Sequence, residues 1–366
     1  MSASPSCDSA NSNIYAVILA GGHGERFWPL SRKARPKHHL ALFSERSLLE
    51  STIERLTGFV DPNHILVLTG LDQADAVRAL LPQLPAANLV VEPERRDTAA
   101  AMALAAGIIA SRDPNAIAVV LPSDHHIPCS SSFQQTLRNA ADVALSAGCI
   151  VTVGINPDWA CPAFGYLELG EAVKSGQSAN VEAFPVVKFH EKPTACVAKE
   201  YIARGNFRWN AGMFVWTVAA LREALKQTSP ALASFCDDLS NTNDINAFLA
   251  ARFSQVPRIS FDFAVMEKLS NAMAVQATFQ WDDLGGWAAA GKYWPTDMDG
   301  NAGNASLQAV DARGNIVFSS NSLQHVALLG VENLIVVNTG DALLVCPKDQ
   351  AERLKEIVAT LPPSLR

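Results

Sequence analysis

The run Ile14-Tyr15-Ala16-Val17-Ile18-Leu19-Ala20 passes without a break into Gly21-Gly22-His23-Gly24-Glu25-Arg26. Phe27-Trp28-Pro29-Leu30-Ser31-Arg32 and Pro36-Lys37-His38-His39-Leu40 follow. An apolar run of strand length that breaks into glycines predicts a strand–turn unit at the carboxyl edge of an α/β sheet, where ligands bind. Glycines let backbone N–H groups approach a ligand with no Cβ in the way, and such N–H concavities hold anions. Arg26 and Lys37 add fixed positive charge, so the stretch reads as a polyphosphate cradle. A Gly-Gly pair alone would also serve a tight turn for steric reasons. The loop is not a Walker A motif, because no Gly-Lys-Ser/Thr follows, and it lacks the third glycine of the dinucleotide fingerprint.

Outward from this stretch, apolar strand-like runs recur at His64–Thr69, Asn88–Val91, Ala116–Leu121 and Cys149–Ile155. Helical patterns separate them: one opens with the capping box Ser47-Leu48-Leu49-Glu50, and others span Leu71–Leu81, Thr98–Ser111 and Phe133–Ser146. The strands are continuously apolar, which predicts a Rossmann-like, mostly parallel sheet with helices on both faces. From Pro157 the pattern becomes irregular. Strands are expected at Phe164–Glu168 and Val186–Lys192, and helices at Val197–Ala203, Val218–Gln227 and Phe261–Leu269. After Asp299 short strands follow in close succession at Gly314–Ser319, His325–Val331, Asn333–Thr339 and Ala342–Cys346, separated by Gly, Asn and Asp, with a final helix over Lys348–Thr360. This predicts a small β domain, sandwich-like or helically coiled. The expected organisation is a disordered lead-in over 1–13, an α/β domain over 14–298 and a C-terminal β domain over 299–366.

Bulk properties narrow the function. The chain has 366 residues, 49% hydrophobic and 18% charged, with a net charge of −7. That composition supports a large core and argues against a basic nucleic-acid binder, so any anion site is local. Seven cysteines occur without a CxxC pair, which fits reduced thiols in a cytoplasmic protein. No signal peptide or membrane-spanning run is read from the sequence.

Four further stretches carry candidate chemistry. In Leu121-Pro122-Ser123-Asp124-His125-His126-Ile127 a carboxylate directly follows an apolar strand. It could cap the next helix, but a phosphate cradle short of cations calls for Mg²⁺, and Mg²⁺ takes carboxylates. The two histidines show no zinc spacing and read as orienting or packing groups. Trp281-Asp282-Asp283-Leu284-Gly285-Gly286-Trp287 sets two carboxylates before a glycine pair. Phe189-His190-Glu191-Lys192-Pro193 would alone pass for a solvated strand end. Glu92-Pro93-Glu94-Arg95-Arg96-Asp97-Thr98 is a charged loop that runs into a helix N-terminus.

Together these strings resemble the sugar nucleotidyltransferases, and most closely the mannose-1-phosphate guanylyltransferases. Their patterns are GGxGxRxWPLSR with a following PK, LPxDHxI, EKP, WNSGMF (here Trp209-Asn210-Ala211-Gly212-Met213-Phe214), GYGYIE (here Phe164-Gly165-Tyr166-Leu167-Glu168), EPxxRNTAPA and WxDxGxW. The resemblance covers nearly the whole chain, including Asp311-x-x-Gly314-Asn315 in the tail. It implies the nucleotidyltransferase fold with a short left-handed β-helix-like tail that helps form homodimers. It implies that Leu19, Gly21, Gly22, Gly24, Arg26, Glu92, Asp97, Thr98 and Asp124 bind the nucleotide. Gly165, Glu191, Lys192 and Asn210 would hold the sugar phosphate. Asp124 and Asp283 would bind Mg²⁺, and Arg26, Lys37, Asp124 and Asp283 would be catalytic. Departures are His23 and Glu25 for small hydroxyl residues, His38-His39 for QF, Asp97 for asparagine, Ala100 for proline, Ala211 for serine and Phe164 for tyrosine. Glu25 would repel a triphosphate unless it points outward or meets Arg26 or a metal.

The expected reaction joins GTP and mannose 1-phosphate to GDP-mannose and pyrophosphate, with neither nucleic acid nor membrane as partner. A nucleotidyltransferase for another hexose or heptose 1-phosphate is the same-class rival. A non-catalytic GDP-mannose sensor is the rival from a different class. The isomerase domain of bifunctional relatives is not expected within this length.

Overall fold

The apolar run at the front folds as strand β1 (Ile14–Ala20), fully covered except at Leu19. The computed structural model describes residues 13–22, 24–176, 181–321 and 323–366; the expected lead-in before Asn13 and the departure at His23 lie outside them. The described residues divide into two compact units, one drawn from 13–20, 54–122 and 127–281, the other from 21–53, 123–126 and 282–366. The second unit thus draws segments from both sides of residue 298.

The first unit is built on one sheet. β2 (Ile65–Gly70), β3 (Leu89–Glu92) and β4 (Ile117–Pro122) flank β1 in the order β3-β2-β1-β4, all parallel. Their side chains alternate between two covered faces. Tyr15, Val17, Leu66, Leu68, Ala118 and Val120 join one core with the helix Asp97–Arg112, and Ala16, Ile18, Val67 and Val119 on the opposite parity are equally buried. The order reverses between β1 and β4, which makes the residues after Ala20 and Pro122 neighbours at a topological switch point.

Beyond β4 the sheet becomes mixed. β5 (Val151–Ile155), β6 (Tyr166–Leu169), β7 (Val173–Ser175), β8 (Val181–His190), β9 (Phe207–Thr217) and β10 (Met273–Gln276) continue it as β4-β9-β5-β10-β8-β6. β9 enters antiparallel between β4 and β5, and β8 and β6 are antiparallel to their neighbours. The parallel expectation therefore holds for the first four strands and for the β5–β10 pair. The hairpin-rich second half follows the antiparallel pattern that short connections permit.

The second unit contains the tail. β11 (Ala302–Gly303), β13 (Ile316–Ser319) and β15 (Leu334–Asn338) stack in parallel, as do β12 (Ser306–Val310) and β14 (His325–Leu329); β16 (Leu343–Pro347) closes the stack antiparallel to β15. These rungs are a short β coil, the second of the two forms expected. Buried Asn301 and Asn315 bond from rung to rung: Asn315 Nδ2 donates to Asn301 Oδ1 at 2.8 Å and to Val331 O at 3.1 Å. Within the same unit Phe27, Trp28, Leu30 and Leu40 share a core with Leu284, Trp287 and Trp294 and with Ile316, Phe318 and Ile335 of the coil. The string Trp-Pro-Leu-Ser that follows the glycines is thus a packing element. Trp287 Nε1 donates to Trp28 O at 2.9 Å, and Ser31 Oγ closes the loop on Gly24 O at 2.7 Å.

Candidate active site

In the second unit three distant segments bring Lys37, Asp124 and Asp283 together. Lys37 Nζ lies 2.8 Å from Asp124 Oδ2 and donates to the Asp283 backbone carbonyl at 2.5 Å. The Lys37 side chain is 13% exposed and that of Asp124 28%, so solvent only partly screens the pairing. Gly24 holds this arrangement. Its φ of +65° suits glycine, and a Cβ there would collide with the Lys37 Cβ. A Cβ at Gly21 or Gly22 would meet nothing within 4 Å, so no side chain crowds the backbone at either glycine.

The two carboxylates differ electrostatically. Burial pushes Asp124 up, but Lys37, His125 and His38 pull it down, and the net direction is downward, so Asp124 is ionised. Burial pushes Asp283 up to about 6; Lys37 opposes this, and the charges of Asp282 and Asp124 add to it. Asp282 is occupied structurally. Its Oδ1 caps Leu284 N at 2.7 Å, its Oδ2 accepts from Tyr293 OH at 3.2 Å, and its backbone pairs with His126 in both directions. His126 packs on Phe43 and Tyr293, which fits the packing role expected for it.

A raised buried carboxylate beside an ionised one, with one ammonium to share, is an oxygen donor set that a hard divalent cation fits. Among the described residues no group of three or more His, Cys, Asp and Glu side chains could hold a metal. Mg²⁺ needs no such cage, because it takes one or two carboxylates and completes its shell with water and substrate phosphate.

Arg26 is tied to Glu352 in the tail, Nε to Oε2 at 2.8 Å. Glu25 is exposed, and its side chain lines a cavity of about 270 Å³ with Trp28, Arg32, Lys33 and Arg366. Its exposure fits the outward-pointing alternative that the sequence left open. His38 is buried, and burial pushes His39 down, so the pair standing for QF is a packing element.

The first unit carries the other candidates. Glu92 ends β3. Burial pushes its carboxyl up to about 7, with Arg95 opposing and Asp97 adding, and its Oε1 has no hydrogen-bond partner among the described residues. Asp97 opens the next helix at φ +65° and accepts from Thr98 N at 2.7 Å. Aspartate and asparagine are the non-glycine residues that best tolerate this backbone, so the departure at Asp97 keeps the turn. Thr98 Oγ1 accepts from Phe261 N at 2.8 Å.

Asn210 sits on β9, and its backbone N–H donates to Gly165 O at 2.8 Å. Glu191 packs over Gly165, where a Cβ would lie 2.7 Å from Glu191 Oε2. Lys192, at φ +45°, turns its ammonium to Glu191 Oε1 at 3.2 Å and is otherwise exposed. Leu19 is partly buried at the end of β1, opposite Pro122. Sequence reasoning missed Asp262, which accepts from Asn210 Nδ2 at 3.0 Å. Its signal was present: a carboxylate set between Phe261 and Phe263 in an apolar turn.

A sequence model of the nucleotidyl transferase family matches residues 15–297. The chain belongs to this family. A model of the mannoseP isomerase/GMP-like β-helix domain matches residues 307–361. Among curated family members, mannose-1-phosphate guanylyltransferase 2 of Escherichia coli O157:H7 is 33% identical over 357 residues, covering 95% of this chain and 73% of that one. Mannose-1-phosphate guanylyltransferase of Escherichia coli strain K12 is 34% identical over 362 residues, with 95% and 73% covered. A solved structure described as mannose-1-phosphate geranyltransferase from Thermus thermophilus superposes with a TM-score of 0.82 at 33% identity, covering 95% of this chain and 98% of that one. Among the described residues no helix is long and apolar enough to cross a membrane.

Proposed function

We propose that the chain transfers a guanylyl group from GTP to α-D-mannose 1-phosphate, giving GDP-mannose and pyrophosphate. One observation carries the reading. Lys37, Asp124 and Asp283 meet in a chain that matches mannose-1-phosphate guanylyltransferases over 95% of its length. A sugar-phosphate oxygen attacks the α-phosphorus in line and expels pyrophosphate. The attacking phosphate is already anionic, so no protein nucleophile is needed, and positioning with charge neutralisation supplies the rate. Lys37 neutralises the α-phosphate as charge shifts toward the leaving group. Arg26 and the glycine loop at Gly21, Gly22 and Gly24 hold the triphosphate. Glu92 accepts from guanine N1–H and N2–H, two donors that suit a carboxylate. Glu191, Lys192, Gly165 and Asn210 hold the sugar phosphate. Mg²⁺ held by Asp124 and Asp283 would supply further charge neutralisation on the phosphates.

The reading includes a reducing cytoplasmic setting, which six free cysteines among the described residues support. It includes a homodimer through the β coil, supported by exposed Val310, Leu329, Leu343 and Val345 on its strands. A pyrophosphate-release panel of four nucleoside triphosphates against several sugar 1-phosphates with Mg²⁺ tests the reaction. GTP with mannose 1-phosphate is expected to be fastest, and no release from that pair refutes the proposal.

A further inference from the structure

We propose that Asp262 is the carboxylate that accepts a ring hydroxyl of the sugar phosphate, and that Asn210 is a positioning residue that orients it. The inference rests on the nucleotidyl-transfer reading above and names a residue outside the motifs read from the sequence.

The amide of Asn210 is largely consumed by the protein. Gly212 N donates to Asn210 Oδ1 at 3.2 Å, and Thr152 Oγ1 lies 3.0 Å from the same oxygen. A backbone N–H can only donate, so this contact fixes which end of the amide is oxygen. Nδ2 then faces the other way and donates to Asp262 Oδ1 at 3.0 Å. Thr152 is fully buried on β5, so the support behind Asn210 is rigid. Asp262 itself opens a single π-helical turn, Asp262–Met266, and the residue before it is pinned by Phe261 N donating to Thr98 Oγ1 at 2.8 Å. Its carboxylate is therefore held from two sides while one oxygen, Oδ2, takes no side-chain partner among the described residues.

The surroundings decide what that oxygen takes. No lysine or arginine pairs with Asp262 among the described residues. The charged groups felt by it are Glu191 and Asp97, both acidic, and together with burial they push its carboxyl up to about 6. A phosphate would be repelled there. A hydroxyl, which donates to a carboxylate and carries no charge, is matched. Gly165 O, which takes the backbone N–H of Asn210, and Glu191, packed over Gly165, lie in the same cluster. With no cation paired to Asp262 among the described residues, acceptors predominate at this carboxylate, the complement of a polyol.

The test measures pyrophosphate release with whichever sugar 1-phosphate the wild type uses fastest, alongside its monodeoxy analogues. Asp262→Asn and Asp262→Ala are expected to raise KM for the sugar phosphate about tenfold while KM for GTP and kcat stay within about twofold, because a site built for a hydroxyl suffers when the pair is broken. One monodeoxy analogue should lose about tenfold with wild type and lose nothing further with Asp262→Ala. Thr152→Val, which removes the hydroxyl behind Asn210, should raise the same KM about threefold with the same analogue pattern. An unchanged sugar-phosphate KM in Asp262→Ala overturns the proposal, as does a parallel rise in KM for GTP. If the Asp262 variants do not fold, an unchanged KM in Thr152→Val overturns it. A wild type active on a sugar phosphate other than mannose 1-phosphate refutes the mannose reading alone, and the Asp262 comparison still decides on that substrate. A wild type inactive with every pair refutes both.

Discussion

Lys37 and Asp262 mark two regions that treat charge in opposite ways. Around Lys37 a half-buried side chain pairs its ammonium with an ionised Asp124 and with the backbone carbonyl of Asp283, whose carboxyl is raised, so a cation sits among the carboxyls. Around Asp262, with Glu191, Asn210 and the carbonyl of Gly165, acceptors dominate, and the cation nearest to hand, Lys192, is turned to Glu191. The first arrangement suits a centre where phosphate charge moves. The second suits neutral donors such as hydroxyls. A sugar nucleotide carries both kinds of group.

The largest expected break in this contrast is Asp124→Asn. Removing the ionised partner of Lys37 should lower kcat by about 10³-fold with the melting temperature nearly unchanged, because preorganised charge acts mainly on the transition state. An activity assay beside a thermal melt checks it, and a loss confined to KM for the sugar phosphate would erase the distinction between the regions. Next, Asp283 binds a proton with a pKa of about 6 in the free protein. Its proton competes with any cation it holds, so kcat/KM should fall about tenfold per pH unit below 6, and more Mg²⁺ should move that limb to lower pH. A limb that ignores Mg²⁺ concentration would separate Asp283 from the metal.

A smaller effect is expected at Glu92, whose carboxyl is pushed up to about 7. The ionised form is the guanine acceptor, so KM for GTP should rise as pH falls through 7. Glu92→Gln should flatten that profile and reduce the preference of GTP over ATP by about tenfold. The smallest belongs to Glu25. It is exposed and lines a cavity with Arg32, Lys33 and Arg366, so Glu25→Ser should change kcat by less than about twofold, as exposed charges usually do. A tenfold gain would return Glu25 to the phosphate region.

Local order was readable where one element carries its own signal. The capping box at Ser47 closes reciprocally, Ser47 N to Glu50 Oε2 at 2.8 Å and Glu50 N to Ser47 Oγ at 3.2 Å. The strands before residue 156 fall within two residues of expectation because an apolar run between turns has few other uses. β9 and β10 were not read as strands. Phe207–Thr217 carried a recognisable motif that drew attention to single residues, and Met273–Gln276 is too short to show a period. The helices Pro230–Ser240 and Ile245–Arg252 were also unread, although Asp244 caps the second through Ala247 N at 3.0 Å.

By itself the sequence determined the residue types and their order: glycines after a buried strand, a lysine sixteen residues beyond Gly21, carboxylates after β4 and before Trp287. These depend on local sterics and on chemistry that a short window displays. Only the tertiary structure decided which carboxylate of the Asp282–Asp283 pair is spent on a cap, which way Glu25 faces, and that Asn210 is held by Thr152 and aimed at Asp262. Each is a choice between hydrogen-bond partners far apart in the chain. Such choices are made by the packing that brings those partners within about 3 Å, a distance no sequence spacing encodes.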